Sequence, residues 1–262
     1  MKKIFSSIMT LTIAITMASC GGNAKNGVRE AQELSGAGAT FPLPFYNVVF
    51  ENFAQVNGDI VAYGGVGSGG GVRNLRDKVV DFAGSDAFLT DKEMAEMAPV
   101  VHIPTCMGAV VVAYNLDGVK ELKLTGEVVA DIFAGKIKMW NDERLTALNP
   151  DVTLPAEVII PVFRSDGSGT TFIFTDYLTK VSPMWKEKFG AGKSVNFPSG
   201  QAAKGNLLHS LFTARCTFRG RVFQWDKGCI GVKYRNRLVG GYSVNYIWTV
   251  GLLHFTANPY GT

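Results

Sequence analysis

The chain is poor in the residues that usually hold metals and cofactors. Its 262 residues include only three histidines, which lie far apart at positions 102, 209 and 254. The four cysteines have no spacing typical of a zinc or haem site, and they stand at Cys20, Cys106, Cys216 and Cys229. We therefore expect no metal and no cofactor.

Long apolar runs and high charge are also scarce. Charged residues make up 18% of the chain and hydrophobic residues 47%, which is typical of a globular protein and not of a disordered one. Beyond the N-terminus no segment is long and apolar enough to span a bilayer. After a targeting segment is removed, the length suits one large domain or two smaller ones.

The N-terminus has the pattern of a bacterial lipoprotein signal. Lys2 and Lys3 precede an apolar stretch over 4–17, which is too short for a comfortable membrane span and leads through small residues to Cys20. We predict a signal peptide over 1–19, a lipidated Cys20 and a flexible tether over 20–33, which places the body outside the cytoplasm. An ordinary secretory signal is the alternative.

The body alternates predicted strands and helices, and this order favours an α/β fold. In such folds ligands collect where loops leave the carboxyl ends of strands. Four of these loops are rich in Gly, Ser, Thr or Asp, and they lie at Thr40, Ser68, Asp86 and 164–171. Four loops of this kind indicate a small anion held by backbone amides and hydroxyls.

The loop over 164–171 (RSDGSGTT) carries the strongest signal. It joins a β-branched run over 158–163 to a segment with helical apolar spacing. A helix start leaves backbone N–H groups unpaired, and the helix dipole also favours an anion there. Arg164 can add a bidentate fork to an oxyanion, and the small residues allow close approach.

In order and spacing, these loops resemble those of the periplasmic phosphate-binding protein family of the bacterial phosphate ABC transporter. The matching segments are 36–42 (GAGATFP), 65–72 (GVGSGGGV), 81–86 (DFAGSD), 131–137 (DIFAGKI), 140–142 (WND), 166–170 (DGSGT) and 200–206 (GQAAKGN). The resemblance covers about residues 34–206.

The resemblance implies a two-lobed periplasmic-binding-protein-like fold, with phosphate in the cleft between the lobes. The first lobe would span 34–105 and the second 106–206. Carried over position by position, the phosphate-binding residues would be Thr40, Phe41, Ser68, Asp86, Arg164, Ser168, Gly169 and Thr170. In this arrangement Asp166 would orient Arg164 and offset its charge.

Asp86 has a separate role in this interpretation. A carboxylate can accept a hydrogen bond from a protonated phosphate oxygen, whereas sulfate carries no such proton near neutral pH. Asp86 would therefore select phosphate by rejecting sulfate. Simpler roles compete at each position, since Ser168 and Thr170 could cap a helix, Asp86 could belong to a turn and Arg164 could pair on the surface.

The family pattern is lost after Asn206. Residues 207–262 contain seven Lys or Arg against the single acid Asp226, and the segment has a net charge of +6, while the whole chain has +4. This basic tail could be a divergent return segment, a surface that meets anionic lipid or nucleic acid, or non-native sequence from a reading-frame shift. The sharp boundary and the lack of a strand–turn–helix pattern favour the third, which would leave the first lobe incomplete. Cys216 and Cys229 could pair in an exported protein.

We predict an exported, lipid-anchored and monomeric solute-binding protein that binds inorganic phosphate and delivers it to a membrane permease. It would perform no chemistry and bind no nucleic acid. One alternative is a binder or sensor of a related oxyanion. Another is a phosphate-ester hydrolase that uses Ser68 or Ser168 as nucleophile, although no His or Lys is placed by the sequence to activate either serine.

Overall fold

Eight strands form one mixed sheet in the computed structural model, which describes residues 30–119, 121–206, 229–234 and 247–256. The strands are β1 (Glu33–Gly38), β2 (Ile60–Gly65), β3 (Phe82–Ser85), β4 (Val100–Tyr114), β5 (Ile160–Arg164), β6 (Gln201–Ala203), β7 (Cys229–Tyr234) and β8 (Ile247–Thr256). The helices are α1 (Leu43–Asn57), α2 (Ser68–Arg76), α3 (Asp91–Ala95), α4 (Gly126–Phe133), α5 (Glu143–Leu148), α6 (Gly169–Val181) and α7 (Pro183–Lys188).

The strand order is β2-β1-β3-β8-β4-β7-β5-β6, and the long strand β4 runs through its middle. Its residues Val100 to Val110 pair with β8, and those from Val110 to Tyr114 pair with β7. We call β2, β1, β3, β8 and helices α1 to α3 the first half, and β7, β5, β6 and helices α4 to α7 the second half. The register of β4 shifts between Pro104 and Cys106, close to the boundary that the resemblance implies between residues 105 and 106.

Helix α1 shows how the sequence sets an element and where packing departs from its pattern. It starts after Pro42, has a proline in its first turn, where proline is tolerated, and ends at Gly58 in the left-handed conformation. Its apolar residues have the spacing of a helix. Yet its patterned apolar residues are the exposed ones, at Phe45, Val48, Val49, Phe53 and Val56, while Tyr46 is the buried residue.

The larger apolar core lies in the second half and is built around Trp140, Trp185, Phe133 and Leu178. A smaller cluster of Tyr46 and Phe82 supports the first half. Phe174 and Trp185 are core residues, whereas Phe172 and Tyr177 are only half-buried. Rigid packing on both sides of β4 fixes the ends of the strands from which the candidate site is built.

Two strands lie within the basic tail, although its sequence lacks a strand–turn–helix pattern. Strand β7 pairs with β4 and β5, and Ile230 is buried among the core residues of the second half. Strand β8 pairs with β3 and β4, so it occupies the edge of β3 that an incomplete first lobe would leave uncovered. The single-sequence pattern missed both strands.

Several predicted features lie outside the described residues. They are the signal peptide over 1–19, Cys20, most of the tether, and Cys216 with the remainder of the tail. Among the residues that are described, no helix has both the length and the apolar character needed to cross a membrane.

Candidate anion-binding site

Arg164, the last residue of β5, is held in a fixed orientation by two acceptors. Its Nε donates to Asp166 Oδ1 at 2.6 Å, and its Nη2 donates to Asp166 Oδ2. Its Nη1 donates to Asn206 Oδ1 at 2.5 Å. The side chain is almost fully buried, so the charge is held in place by its neighbours and not by solvent.

Asp166 is the counterion of Arg164, as the resemblance implied. Burial raises the pKa of the Asp166 carboxyl, but the hydrogen bonds and charge of Arg164, with a further bond from the Gly205 N–H at 3.0 Å, outweigh it and hold the pKa below its ordinary value. The carboxylate also lies close to Gly67, where a Cβ would approach Asp166 Oδ2 to 2.5 Å. Asp166 is therefore ionised and packed between both halves of the chain.

The N-terminus of α6 lies directly after this loop. Ser168 is the N-cap residue, and its Oγ accepts from the Thr171 N–H at 3.2 Å, which is the simpler role that the sequence allowed. The Ser168 N–H donates to the Lys193 carbonyl at 2.8 Å. Thr170 is different, since its Oγ1 is buried and has no hydrogen-bond partner among the residues that the structure describes. A buried hydroxyl of this kind indicates a place where a ligand would bind.

Ser68, at the start of α2, brings the first half into contact with this helix start. Its Oγ accepts from the Gly169 N–H at 3.1 Å and from the Asp86 N–H at 3.3 Å. Next to it, the Gly69 N–H donates to the Gly167 carbonyl at 2.9 Å. Because Ser68 Oγ accepts these two bonds, its hydroxyl still has a proton that it can donate to a further acceptor.

Asp86 follows β3 and is 4% exposed. A Cβ placed on Gly169 would lie 2.5 Å from Asp86 Cβ and 2.7 Å from its Oδ2, so only glycine permits this approach. The Asp86 charge also affects neighbouring groups. Burial raises the pKa of the Tyr46 and Tyr63 phenols and of the Cys106 thiol, and the charge of Asp86 raises these pKa values further. One carboxylate therefore lies within a buried region that also contains the Arg164 charge.

Thr40 and Phe41 complete the set from the loop after β1. Thr40 Oγ1 accepts from the Asn206 N–H at 3.3 Å. The Phe41 ring packs into the core of the second half, where Gly108 makes room, since a Cβ there would lie 2.4 Å from the ring. The loop after β1 is thus held in position because its Phe41 side chain packs into the core of the second half.

A second contact between the halves lies beside the site. Lys193 Nζ and Glu93 Oε1 are 2.5 Å apart, and Glu93 also completes a capping box with Thr90 at the start of α3. Next to this pair is a pocket of about 280 Å³. Sequence reasoning did not identify this ion pair, because no local pattern links residues so far apart in the chain.

The structure brings the eight predicted binding residues and Asp166 into one region. Sequence reasoning missed Asn206 as a member, although its segment was among the family-like motifs. The described contacts of Ser68 Oγ and Ser168 Oγ are with backbone amides. Across the described ranges no group of three or more His, Cys, Asp or Glu could hold a metal ion. The N–H groups of Ser168, Gly169 and Thr171 already donate to protein acceptors. The arrangement therefore offers hydroxyl and guanidinium donors and the positive end of a helix dipole, together with one carboxylate acceptor, which suits an oxyanion that carries a proton.

Comparison with known proteins gives consistent matches. A family model described as the PBP superfamily domain matches residues 23–219. The phosphate-binding protein PstS of Pasteurella multocida is 46% identical over 179 residues, which cover 68% of this chain and 52% of that protein. The protein of the same name from Methanocaldococcus jannaschii is 39% identical over 227 residues, covering 78% and 58%. The chain spans about half the length of the first of these curated relatives.

Solved structures show a similar fold. A putative phosphate ABC transporter substrate-binding protein with bound phosphate from Clostridium perfringens aligns with a TM-score of 0.63 and 17% identity, covering 86% of each chain. A phosphate-binding protein from Stenotrophomonas maltophilia aligns with a TM-score of 0.64 and 19% identity, covering 86% of this chain and 79% of that one. The predicted α/β fold of the periplasmic-binding-protein type is confirmed.

Proposed function

Because this chain belongs to the PBP superfamily, we propose that its candidate site binds inorganic phosphate and that the protein delivers phosphate to an ABC permease. The names of its relatives support this assignment, since those from Pasteurella multocida and Haemophilus influenzae are both called phosphate-binding protein PstS. The proposal extends from these relatives to a chain that covers about half of their length.

One observation carries the proposal: a buried carboxylate and a buried guanidinium lie at the same helix start. The Arg164 charge and the dipole at the N-terminus of α6 would attract any oxyanion. Asp86, packed against Gly169, would repel one unless a proton lies between the two. Phosphate carries such a proton near neutral pH and sulfate does not, so this combination selects phosphate.

In the bound state the donors would come from both halves of the chain. Thr40, Phe41 and Ser68 would contribute from the first half, and the first turn of α6 from the second. Thr170 Oγ1 is buried without a partner in the described part of the chain, and a phosphate oxygen would supply that partner. Phosphate would therefore bind between a first lobe over 34–105 and a second over 106–206, and its contacts with both would favour the closed arrangement.

We propose further that the protein is exported, lipid-anchored through Cys20 and monomeric, and that it performs no chemistry. The sequence pattern around Cys20 supports the anchor. Metabolic labelling with a radioactive or clickable fatty acid would test it, with Cys20→Ala as the unlabelled control. Labelling that persists in Cys20→Ala would contradict this assignment, and turnover of a phosphate ester that is lost in Ser168→Ala would contradict the absence of catalysis.

Isothermal titration of the purified full-length chain with phosphate and with sulfate tests the function itself. We expect phosphate to bind and sulfate to bind far more weakly. In Asp86→Asn the repulsion is gone and an amide donor is added, so the ratio of the two affinities should fall. Tight sulfate binding by the unaltered chain, with none for phosphate, would refute the proposal.

A further inference from the structure

Asn206 contacts the candidate site from two sides. Its side-chain Oδ1 accepts from Arg164 Nη1 at 2.5 Å, and its backbone N–H donates to Thr40 Oγ1 at 3.3 Å. The preceding Gly205 N–H donates to Asp166 Oδ1 at 3.0 Å. The short segment after β6 thus binds three residues of the site, which come from both halves of the chain.

The hydrogen-bond capacity of Arg164 shows what this contact achieves. A guanidinium has five N–H donors, on Nε, Nη1 and Nη2. Asp166 takes the Nε donor and one on Nη2, and Asn206 takes one on Nη1. One donor on each Nη remains for an anion. The direction in which these two donors point is set by the protein before any ligand arrives.

Asp166 alone would not fix that direction. It binds the guanidinium along one edge, formed by Nε and Nη2, and a contact along one edge permits the group to swing about it. Asn206 binds at Nη1, away from that edge. With acceptors on both sides the guanidinium plane is locked, as preorganised oxyanion donors require.

The backbone of Asn206 has a matching effect on Thr40. Because Thr40 Oγ1 already accepts the Asn206 N–H, the proton of this hydroxyl is directed away from that amide. The hydroxyl of the first half and the guanidinium of the second half are therefore aimed by the same residue. A change of side chain at 206 would remove the contact with Arg164 and leave the backbone contact with Thr40.

We propose that Asn206 is a positioning residue for anion binding, which aims the two uncommitted N–H donors of Arg164 into the cleft. This inference rests on the proposed function for the identity of the anion. Its structural part, the locking of Arg164, does not depend on any ligand. The two parts are therefore measured separately.

The ligand-free measurement is nitrogen-15 NMR of the arginine side chains in the full-length chain, with Arg164 assigned by its loss in Arg164→Lys. Asn206→Leu keeps the approximate shape and removes the acceptor, whereas Asn206→Asp keeps an acceptor. We expect separate, slowly exchanging Nη signals for Arg164 in the unaltered chain and in Asn206→Asp, and averaged signals in Asn206→Leu. Identical Arg164 signals in Asn206→Leu and the unaltered chain would overturn the inference.

The second measurement is calorimetric titration of inorganic phosphate into the unaltered chain and Asn206→Leu. We expect roughly tenfold weaker binding in the variant, because a donor to a charged ligand is no longer aimed. Asn52→Leu is the matched control, since Asn52 is exposed and its side chain donates to the Val48 carbonyl within α1. This variant should bind phosphate normally. Asn206→Asp is confined to the NMR measurement, because its charge would itself repel an anion.

The outcomes separate the two claims. If the unaltered chain fails to bind phosphate while Arg164 loses its slow signals in Asn206→Leu, the phosphate assignment fails and the positioning of Arg164 stands. If Arg164 is released in Asn206→Leu and phosphate affinity does not change, Asn206 does not position Arg164 for binding and the inference is wrong. Thermal unfolding of each variant shows whether it is folded, and a loss of affinity shared with Asn52→Leu would also count against the inference.

Discussion

Replacing Gly169 with alanine should force the two halves of the candidate site apart. Gly169 is the first residue of α6, and an added Cβ would lie 2.5 Å from Asp86 Cβ and 2.6 Å from Ser68 Oγ. Asp86 Cβ cannot turn aside, because it is attached directly to the backbone. Carbon atoms pack at about 3.5 to 4.0 Å, so the two elements must separate by about 1 Å.

The size of the effect follows from the contacts that this separation breaks. The Ser68 Oγ to Gly169 N–H bond would be lost, and an anion could no longer contact donors on both sides at normal distance. Hydrogen bonds to a charged group contribute about 1.5 to 3 kcal/mol each. The loss of two hydrogen bonds between the protein and the bound anion costs about 3 kcal/mol or more of binding free energy. This corresponds to roughly a hundredfold weaker phosphate binding.

Folding stability must be measured beside the affinity, because overpacking at a buried position typically costs about 1 to 3 kcal/mol of folding free energy. The assay is therefore a pair of measurements, phosphate titration and urea unfolding, on Gly169→Ala and on the control Gly64→Ala. In the control the added Cβ would lie 4.0 Å from the Gly36 carbonyl oxygen, which is an ordinary contact distance. Phosphate affinity within threefold of the unaltered chain for Gly169→Ala would refute the reasoning.

Three further predictions concern the surroundings of the site. Gly108→Ala should weaken phosphate binding several-fold by titration, because its Cβ would displace the Phe41 ring that anchors the Thr40 loop; unchanged affinity would show that the anchor is dispensable. Burial raises the pKa of the Glu93 carboxyl, but the hydrogen bonds and charge of Lys193, with the hydrogen bonds of Thr90, outweigh burial and leave the pKa below its ordinary value. The ion pair of Glu93 and Lys193 therefore stabilises the fold at any pH above the ordinary carboxyl pKa. This stabilisation is lost as the pH falls through the lowered pKa of the folded state. Urea midpoints from pH 7 to pH 3 should therefore fall less steeply in Glu93→Gln than in the control Glu187→Gln, which replaces an exposed carboxylate, and equal slopes would contradict this. Burial, aided by the Asp86 charge, raises the pKa of the Cys106 thiol, so iodoacetamide should label it slowly at pH 7 and rapidly in urea; fast labelling of the folded chain would be inconsistent with its environment.

The sequence was most informative where function depends on short, local segments. The glycine-rich turn from Gly167 to Gly169, the cap at Ser168 and the Arg164–Asp166 pair all lie within a few residues of one another in the sequence and in the structure. Backbone conformation at such turns is set by the residues themselves, above all by glycine. The local half of the site could therefore be predicted before any fold was known.

Other features depend on contacts between distant segments of the chain, and they could not be inferred from the sequence alone. The apolar residues of α1 have helical spacing, yet Val56 is 82% exposed, because periodicity predicts a helix but not what packs against it. Strands β7 and β8 carry no clear alternation, and their place is set by the neighbours with which they pair. Asn206 and Glu93 contact partners that are far from them in the sequence, and no local pattern reveals such contacts.

The hydrogen bond from the Asn206 N–H to Thr40 Oγ1 joins residues 166 positions apart, and this has a consequence for biogenesis. At a synthesis rate of about 5 to 20 residues per second, the ribosome needs on the order of ten to thirty seconds between these two residues. During that time no phosphate, however abundant in the cytoplasm, can stabilise the emerging chain by mass action. If the protein is secreted and binds phosphate as proposed, its precursor cannot be stabilised by phosphate until the second half has been synthesised. This delay favours an unfolded precursor, which can pass through a translocation pore.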